Sequence, residues 1–217
     1  MKKGDILWSS IILVLILLLA FPGGRNLYIE YTTRYPYASG FLKFALLSTM
    51  GELLTLRLRE KQWRKSTGFT VKIFVWGLIG MAITFMFSFY SAGVSALQEA
   101  GKLPGGGISA ATAFFTSALM NLTFGPAFMI AHRISDTIID SRVTVGAFPR
   151  PGAVLENIAW GPFMSVIIRS LIFFWIPAHT LVFLLPGPFR VLAAAFLSII
   201  LGVLLTIAGG KDREEKT

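Results

Sequence analysis

Two charged residues, Glu52 and Arg169, stand inside long apolar stretches of the sequence, and each follows a serine by four positions. A charged side chain at the centre of a bilayer costs at least about 2.5–3.5 kcal/mol on insertion scales, so both mark a candidate functional site. If the fifth stretch enters the membrane near Pro162, both residues lie about 10 Å from the same boundary and could form an ion pair, because a helix rises about 1.5 Å per residue. If it enters near Leu155, Arg169 lies too far along the helix. A structural ion pair and a role in selectivity or gating are the two interpretations.

Small and polar residues recur at every fourth position in three other apolar stretches. Positions four apart share one face of a helix, and small residues let helices approach closely in lipid. One interpretation is therefore close packing within a bundle, and the other is a water-filled path lined by Thr84, Ser88, Ser117 and Asn121. The three stripes are Gly80, Thr84, Ser88 and Ala92; Ala113, Ser117, Asn121 and Gly125; and Ala194, Ser198, Gly202 and Thr206.

His132, Asp136 and Asp140 are spaced by four residues, so a helix that continues past the fourth apolar stretch would align them on one face. Imidazole and carboxylate groups in this arrangement could hold a divalent metal. A solvated helix end explains the same spacing and is the interpretation we favour. The second histidine, His179, is expected at the outer membrane boundary without an acidic neighbour.

Other chemistries lack their sequence signals. The chain has no cysteine, which excludes disulfides and thiolate metal sites. The turn Pro104-Gly105-Gly106-Gly107 lacks the Lys-Ser/Thr of a phosphate-binding loop. Neither a nucleophile elbow nor a paired-carboxylate motif occurs. We therefore predict no cofactor and no enzymatic activity.

The residues of interest must be positioned by membrane-spanning helices. The chain has 217 residues, of which 54 % are hydrophobic and 14 % charged, whereas about a quarter of residues are charged in soluble domains. Its apolar stretches approach the roughly 20 residues that span a bilayer as a helix, and are about twice as long as the strands of a membrane barrel. We predict one all-α domain over residues 1–217, a bundle of about six transmembrane helices at 6–22, 38–58, 69–93, 108–132, 158–185 and 190–208. The fifth stretch contains Pro177, so it is either one kinked span or a span plus an interfacial segment.

The Lys and Arg residues predict the orientation of the bundle. With both termini in the cytoplasm, fourteen of the 20 Lys and Arg fall on the inside and four on the outside, as the positive-inside rule requires. The net charge of +9 therefore reflects topology, and we expect no nucleic-acid partner. The inside segment 57–72 would attract anionic lipid headgroups. Lys43 lies near the outer end of the second span, and we expect its ammonium to reach the interface. A second copy of the chain or a membrane complex is a further candidate partner.

The first stretch resembles a signal sequence, since Lys2 and Lys3 precede an apolar run that ends at Phe21. The following Pro22-Gly23-Gly24 is a poor cleavage site, so we expect the stretch to be retained as a span. It is apolar on every face and is therefore expected at the periphery. This start favours a prokaryotic cytoplasmic membrane, with a mitochondrial inner or peroxisomal membrane as the alternative.

Residues 31–209 resemble the Mpv/PMP family of small peroxisomal and mitochondrial inner-membrane proteins. Two of the family's features are absent, because Leu201-Gly202 replaces a Trp-Asn pair and Arg169 stands near the position of a glutamine. Some members are described as channels for small solutes, and the resemblance places Glu52 at the family's acidic helix position. The matching features are Tyr35-Pro36, Ser39-Gly40, Gly51-Glu52, Gly77 with Gly80, Tyr90, Gly125-Pro126, Pro177 with His179, and Arg190.

Three functions fit these observations. The leading hypothesis is a channel or transporter for small solutes or ions, with Glu52, Arg169, Asn121, Thr84, Ser88 and Ser117 as interior polar residues. The second is a non-catalytic structural or assembly subunit, in which the stripes are packing faces. The third and least favoured is a membrane enzyme built around His132, Asp136 and Asp140.

Overall fold

The computed structural model describes residues 2–214, and the side chains up to residue 204 and of residues 206 and 207. The described residues form helices without any strand, which confirms the predicted all-α class. A π-helical turn, Leu171–Trp175, joins α7 to α8. The α-helices are α1 (Lys3–Ala20), α2 (Pro22–Arg34), α3 (Pro36–Glu60), α4 (Phe69–Glu99), α5 (Ser109–Val145), α6 (Pro151–Glu156), α7 (Trp160–Ser170), α8 (Ile176–Leu184) and α9 (Gly187–Glu214).

Five helical segments are long and apolar enough to cross a membrane: α1, α4, α5, the continuous α7–α8 segment and the part of α9 up to Leu204. The chain is therefore a membrane protein with several spans. The remaining predicted span, 38–58, forms the 25-residue helix α3, which is less apolar than the other five. Helix α3 packs against α4 on one side and α9 on another. Much of its surface therefore contacts protein, where polar side chains are tolerated if they find partners.

The long helices run alternately between two ends of the bundle. At one end, called the basic end because it holds residues 57–72, the Lys2 ammonium donates to the carbonyl of Lys61 (2.6 Å). At the other end, called the far end, the Tyr28 hydroxyl donates to the carbonyl of Pro188 (2.7 Å). Burial raises the pKa of Tyr28 to about 12, so this phenol remains a donor at neutral pH. The alternation agrees with the predicted topology, and which end faces the cytoplasm stays a prediction.

Helix α1 lies at the periphery, as its uniformly apolar sequence predicts, and none of its residues is buried. It is fastened to the bundle by polar contacts. The Asp5 carboxylate accepts hydrogen bonds from Arg57 (3.1 Å) and Trp63 (2.7 Å), and the Trp8 indole donates to the carbonyl of Met50 (3.1 Å). A helix that meets lipid on most of its surface is thereby fixed in register with α3.

Several helical segments go beyond the sequence prediction. Pro22, the predicted end of the first span, begins the separate helix α2, because proline has no N–H to lose at the first helical position. Helix α5 continues through Val145, well past the predicted end at residue 132. The fifth stretch is one continuous span, since the π-helical turn precedes Pro177 and α8 starts without a break.

Helices α3 and α4 touch through their backbones at Gly40 and Gly80. A Cβ atom built on Gly40 would lie 2.7 Å from the carbonyl oxygen of Gly80, and one built on Gly80 would lie 2.7 Å from the Cβ of Phe44. Neither contact is tolerated, so only glycine permits this separation. The Gly80 end of the first small-residue stripe is therefore a packing surface.

We predict that Gly80→Ala destabilises the protein by about 1–3 kcal/mol, because the added methyl group overpacks the α3–α4 contact. Thermal unfolding of the detergent-purified protein, followed by size-exclusion chromatography, measures the effect. Gly93→Ala on the same helix is the control, since its Cβ would meet no atom within 4 Å. Equal stability of the two variants would contradict the packing role of Gly80.

Candidate functional site

A central cavity of about 260 Å³ lies between α3, α4, α5, the α7–α8 segment and α9. Aromatic and aliphatic side chains form most of its wall. A few polar groups interrupt that wall, and they come from different helices: His132 and Asn121 of α5, His179 of α8, and Ser198 of α9. An apolar cavity with few convergent polar groups is the usual form of a small-molecule site.

His179 lies inside the bundle, where it is 7 % exposed, and its position at the outer membrane boundary stays a prediction. Its Nδ1 is 3.1 Å from the amide nitrogen and 3.3 Å from the amide oxygen of Asn121. Its ring stacks on Trp175 (5.0 Å between centroids) and meets the edge of Phe87 (5.5 Å). The imidazole is thus held on three sides in a defined orientation.

The contact between α5 and α8 explains why Asn121 and His179 meet. The Ser117 hydroxyl donates to the carbonyl of Ile176 (2.7 Å) across the two helices, and the Asn121 amide donates to the carbonyl of Ser117 (2.9 Å). Gly125 leaves room for the side chain of Leu171 in the π-helical turn. Of the predicted stripe, Ser117 therefore serves helix packing, while Asn121 reaches the cavity wall.

At the basic end a cluster of charges links three helices. The Lys72 ammonium of α4 lies 2.9 Å from the Asp140 carboxylate of α5 and 3.9 Å from the Glu52 carboxylate of α3. Lys72 is only 8 % exposed. Next to this cluster, His132 lies 3.7 Å from Asp136 and packs against Trp76.

These partners correct the expected pairing of Glu52. Glu52 faces Lys72 and not Arg169, which is exposed on α7 and forms no ion pair among the side chains that the structure describes. His132, Asp136 and Asp140 share one face of α5 as predicted. Even so, the described part of the chain contains no group of three or more such residues arranged to hold a metal. The Asp140 carboxylate instead lies beside the Lys72 ammonium.

A second cavity, of about 550 Å³, opens at the far end of the bundle. Thr84 and Ser88 lie in its wall, and a water-filled path along all four stripe residues stays a prediction. Ser91 and Ser95 continue the same helix face, and Lys43 and Arg190 bring two cations into the wall. Lys43 is 8 % exposed, and that its ammonium reaches the membrane interface stays a prediction.

One side chain, Phe87, lines both the far-end cavity and the central cavity. It is 5 % exposed, and its ring packs against Phe183 (4.8 Å between centroids) as well as His179. The two cavities therefore share this buried residue in their walls.

No family model, curated protein or solved structure matches the chain. The resemblance to the Mpv/PMP family accordingly stays a prediction, and the site rests on the geometry of this chain.

Sequence reasoning missed Phe87, Lys72 and the interior positions of Lys43 and His179. For Lys72 a signal existed, because Lys72, Trp76, Gly80 and Thr84 follow one another at intervals of four and share a face of α4. The stripe of small residues thus extends towards a cation at the basic end. No comparable spacing connects His179 to Asn121, since their contact depends on how two separate helices are rotated.

We predict that Lys72→Met destabilises the protein by about 1–3 kcal/mol, because two carboxylates then face each other without a cation. The value lies below that of a fully buried pair, since the Asp140 side chain is 49 % exposed and water screens it. Thermal unfolding in detergent measures the loss, and adding Asp140→Asn should restore part of it. Arg64→Gln, which breaks the exposed pair with Glu60 at the same end, is expected to cost less than about 0.5 kcal/mol. Equal losses for Lys72→Met and Arg64→Gln would contradict an interior charge cluster.

Proposed function

We propose that this membrane protein passes small solutes or ions through its helix bundle. The observation that carries the proposal is the pair of cavities that share Phe87 in their walls. A solute would move from the far-end cavity past Phe87 into the central cavity. It would leave near His132, which lies about 16 Å along α5 from Asn121 at a rise of about 1.5 Å per residue.

The path is closed at two places in this conformation. The buried Phe87 ring lies in the walls of both cavities, and the ion pair between Lys72 and Asp140 joins α4 to α5 at the basic end. Passage therefore requires a rotation of Phe87 and a separation of charges. Such motions are typical of gated channels and transporters, and less so of permanently open pores.

Polar groups along the path would replace part of the water around a solute. Thr84 and Ser88 serve this purpose at the far end, and Asn121 and His179 in the central cavity. Glu52 would act through the charge cluster at the basic end. Arg169 has no role in the path, because it is exposed on α7.

The backbone contact between Gly40 and Gly80 favours a second candidate, a structural or assembly subunit. In that case the stripes serve packing alone, and the cavities have no solute. The two functions differ in one measurable property, because only the first produces flux across a membrane.

We also propose that the chain is related to the Mpv/PMP family and that it lies in a prokaryotic cytoplasmic membrane. Several residues that carry the resemblance have defined places in the bundle. Gly80 touches α3, Gly125 accommodates Leu171, and His179 contacts Asn121. A shared packing scheme would explain why such scattered residues recur in the same order.

We predict that Phe87→Ala increases solute efflux from liposomes by about tenfold, because removing the ring lowers the barrier between the cavities and about 1.4 kcal/mol corresponds to one factor of ten. Release of a trapped small neutral dye and of ions from vesicles that contain the purified protein measures the rate, with empty vesicles as background.

Two control variants separate this effect from general damage. Leu47→Ala removes a comparably buried core side chain that lines neither cavity, and Arg169→Gln removes an exposed charge. Both are expected to leave efflux at the wild-type rate. Efflux at background for both wild type and Phe87→Ala, from folded and inserted protein, would refute the passage function and support the structural subunit.

A further inference from the structure

The far-end cavity contains two cations and lacks a carboxylate to balance them. Lys43 of α3 and Arg190 of α9 both lie in its wall, and no aspartate or glutamate does. Neither cation takes part in an ion pair among the described side chains, which end at residue 207. The basic end differs, because there Lys72 faces two carboxylates.

Lys43 is held by neutral groups only. Its ammonium donates to the Thr32 hydroxyl (3.2 Å) and lies 4.8 Å from the centre of the Tyr28 ring. The Thr32 hydroxyl also shares a hydrogen bond with the Ser39 hydroxyl (2.9 Å). A hydroxyl and a ring replace only part of the hydration of an ammonium, and an ammonium has three donors to satisfy. The remaining N–H groups are available to a ligand.

Arg190 is fixed at the cavity wall by a different pair of contacts. Its Nε donates to the carbonyl of Leu185 (2.9 Å), and its guanidinium lies 5.8 Å from the centre of the Phe183 ring. These contacts leave the terminal NH₂ groups of the guanidinium fork free to bind the paired oxygens of a carboxylate or phosphate. Ser91 and Ser95 lie beside Arg190 in this cavity and again in a neighbouring one of about 350 Å³. Their hydroxyls add neutral donors.

We propose that the far-end cavity binds a small oxyanion, a carboxylate or a phosphate, between Lys43 and Arg190. The anion supplies the negative charge that the protein itself does not place beside Lys43, and the serine hydroxyls complete its hydrogen bonds. The inference rests on the proposed function, since it makes the passing solute an anion that is first captured at the far end. Glu52 and Asp140, at the basic end, belong to a separate charge cluster.

The test is isothermal titration of the protein in non-ionic detergent with inorganic phosphate and with acetate at constant ionic strength. Wild type should bind at least one of the two anions. Lys43→Met and Arg190→Gln should each weaken binding by about tenfold or more, because each removes a charged donor. Lys102→Gln is the matched control, since it removes one positive charge from an exposed loop at the same end, outside the cavity. Lys43→Met is expected to fold, since it removes a buried charge and retains an apolar chain of similar length.

A second titration, with short-chain phosphatidylglycerol, distinguishes a lipid headgroup from a free anion. Binding of the lipid alone, weakened in both cavity variants, identifies the oxyanion as a headgroup phosphate and refutes an anionic solute. Binding of phosphate or acetate with the same variant pattern supports the solute. Binding that is equal in all four proteins, or absent for every ligand, overturns the site.

Failure of this inference and failure of the passage function have different signatures. Anion binding without efflux in the liposome experiment would leave the site intact and refute passage. Efflux of neutral dye and cations at rates that Lys43→Met and Arg190→Gln do not change, together with absent anion binding, would leave passage intact and refute the anion.

Discussion

The backbone contact between Gly40 and Gly80 is the constraint on which the rest of this structure depends. Helices in lipid gain little from hydrophobic association, so close van der Waals contact must hold α3 against α4. Once these backbones touch, Lys43, three residues after Gly40, is turned into the far-end cavity. At the basic end the same contact brings Glu52 to within 3.9 Å of Lys72. One pair of glycines thus fixes a cation at one end of α3 and an acidic residue at the other.

The two ends of the bundle differ in whether their buried cations have carboxylate partners, although the same helices reach both ends. At the basic end Lys72 is neutralised within the protein, which stabilises the junction of α3, α4 and α5. At the far end Lys43 and Arg190 meet hydroxyls, carbonyls and aromatic rings, without a carboxylate in the cavity wall. A bundle that needed only to be stable would gain from a carboxylate beside Lys43, or from an apolar residue in place of Lys43. This difference between the ends indicates a structural ion cluster at the basic end and, at the far end, a pair of cations that is suited to a ligand.

The sequence predicted the helices, the peripheral place of α1 and the stripes, because each follows from composition or from periodicity along one segment. It did not predict which side chains from different segments contact each other. For example, Glu52 faces Lys72 and not the expected Arg169. The π-helical turn Leu171–Trp175 is one physical reason. Each extra residue rotates the following helix by about 100° relative to a regular α-helix. The face that His179 presents therefore cannot be obtained by counting residues from Arg169. The burial of Lys43 was missed for a second reason, since it depends on α2, which lies between the first two predicted spans.

The wall of the central cavity has polar atoms that a purely structural bundle does not need. Two of its wall residues, Trp175 and His132, each hold a buried ring nitrogen that finds no hydrogen-bond partner among the described residues. An unsatisfied buried polar group costs about 1–3 kcal/mol, and a bundle selected for stability alone would replace either ring by an apolar side chain. Both rings are instead positioned by defined contacts, Trp175 against His179 and His132 against Trp76. Polar atoms without partners in the apolar central cavity can hydrogen-bond a solute weakly enough for the solute to leave. Such polar atoms fit the solute passage proposed above.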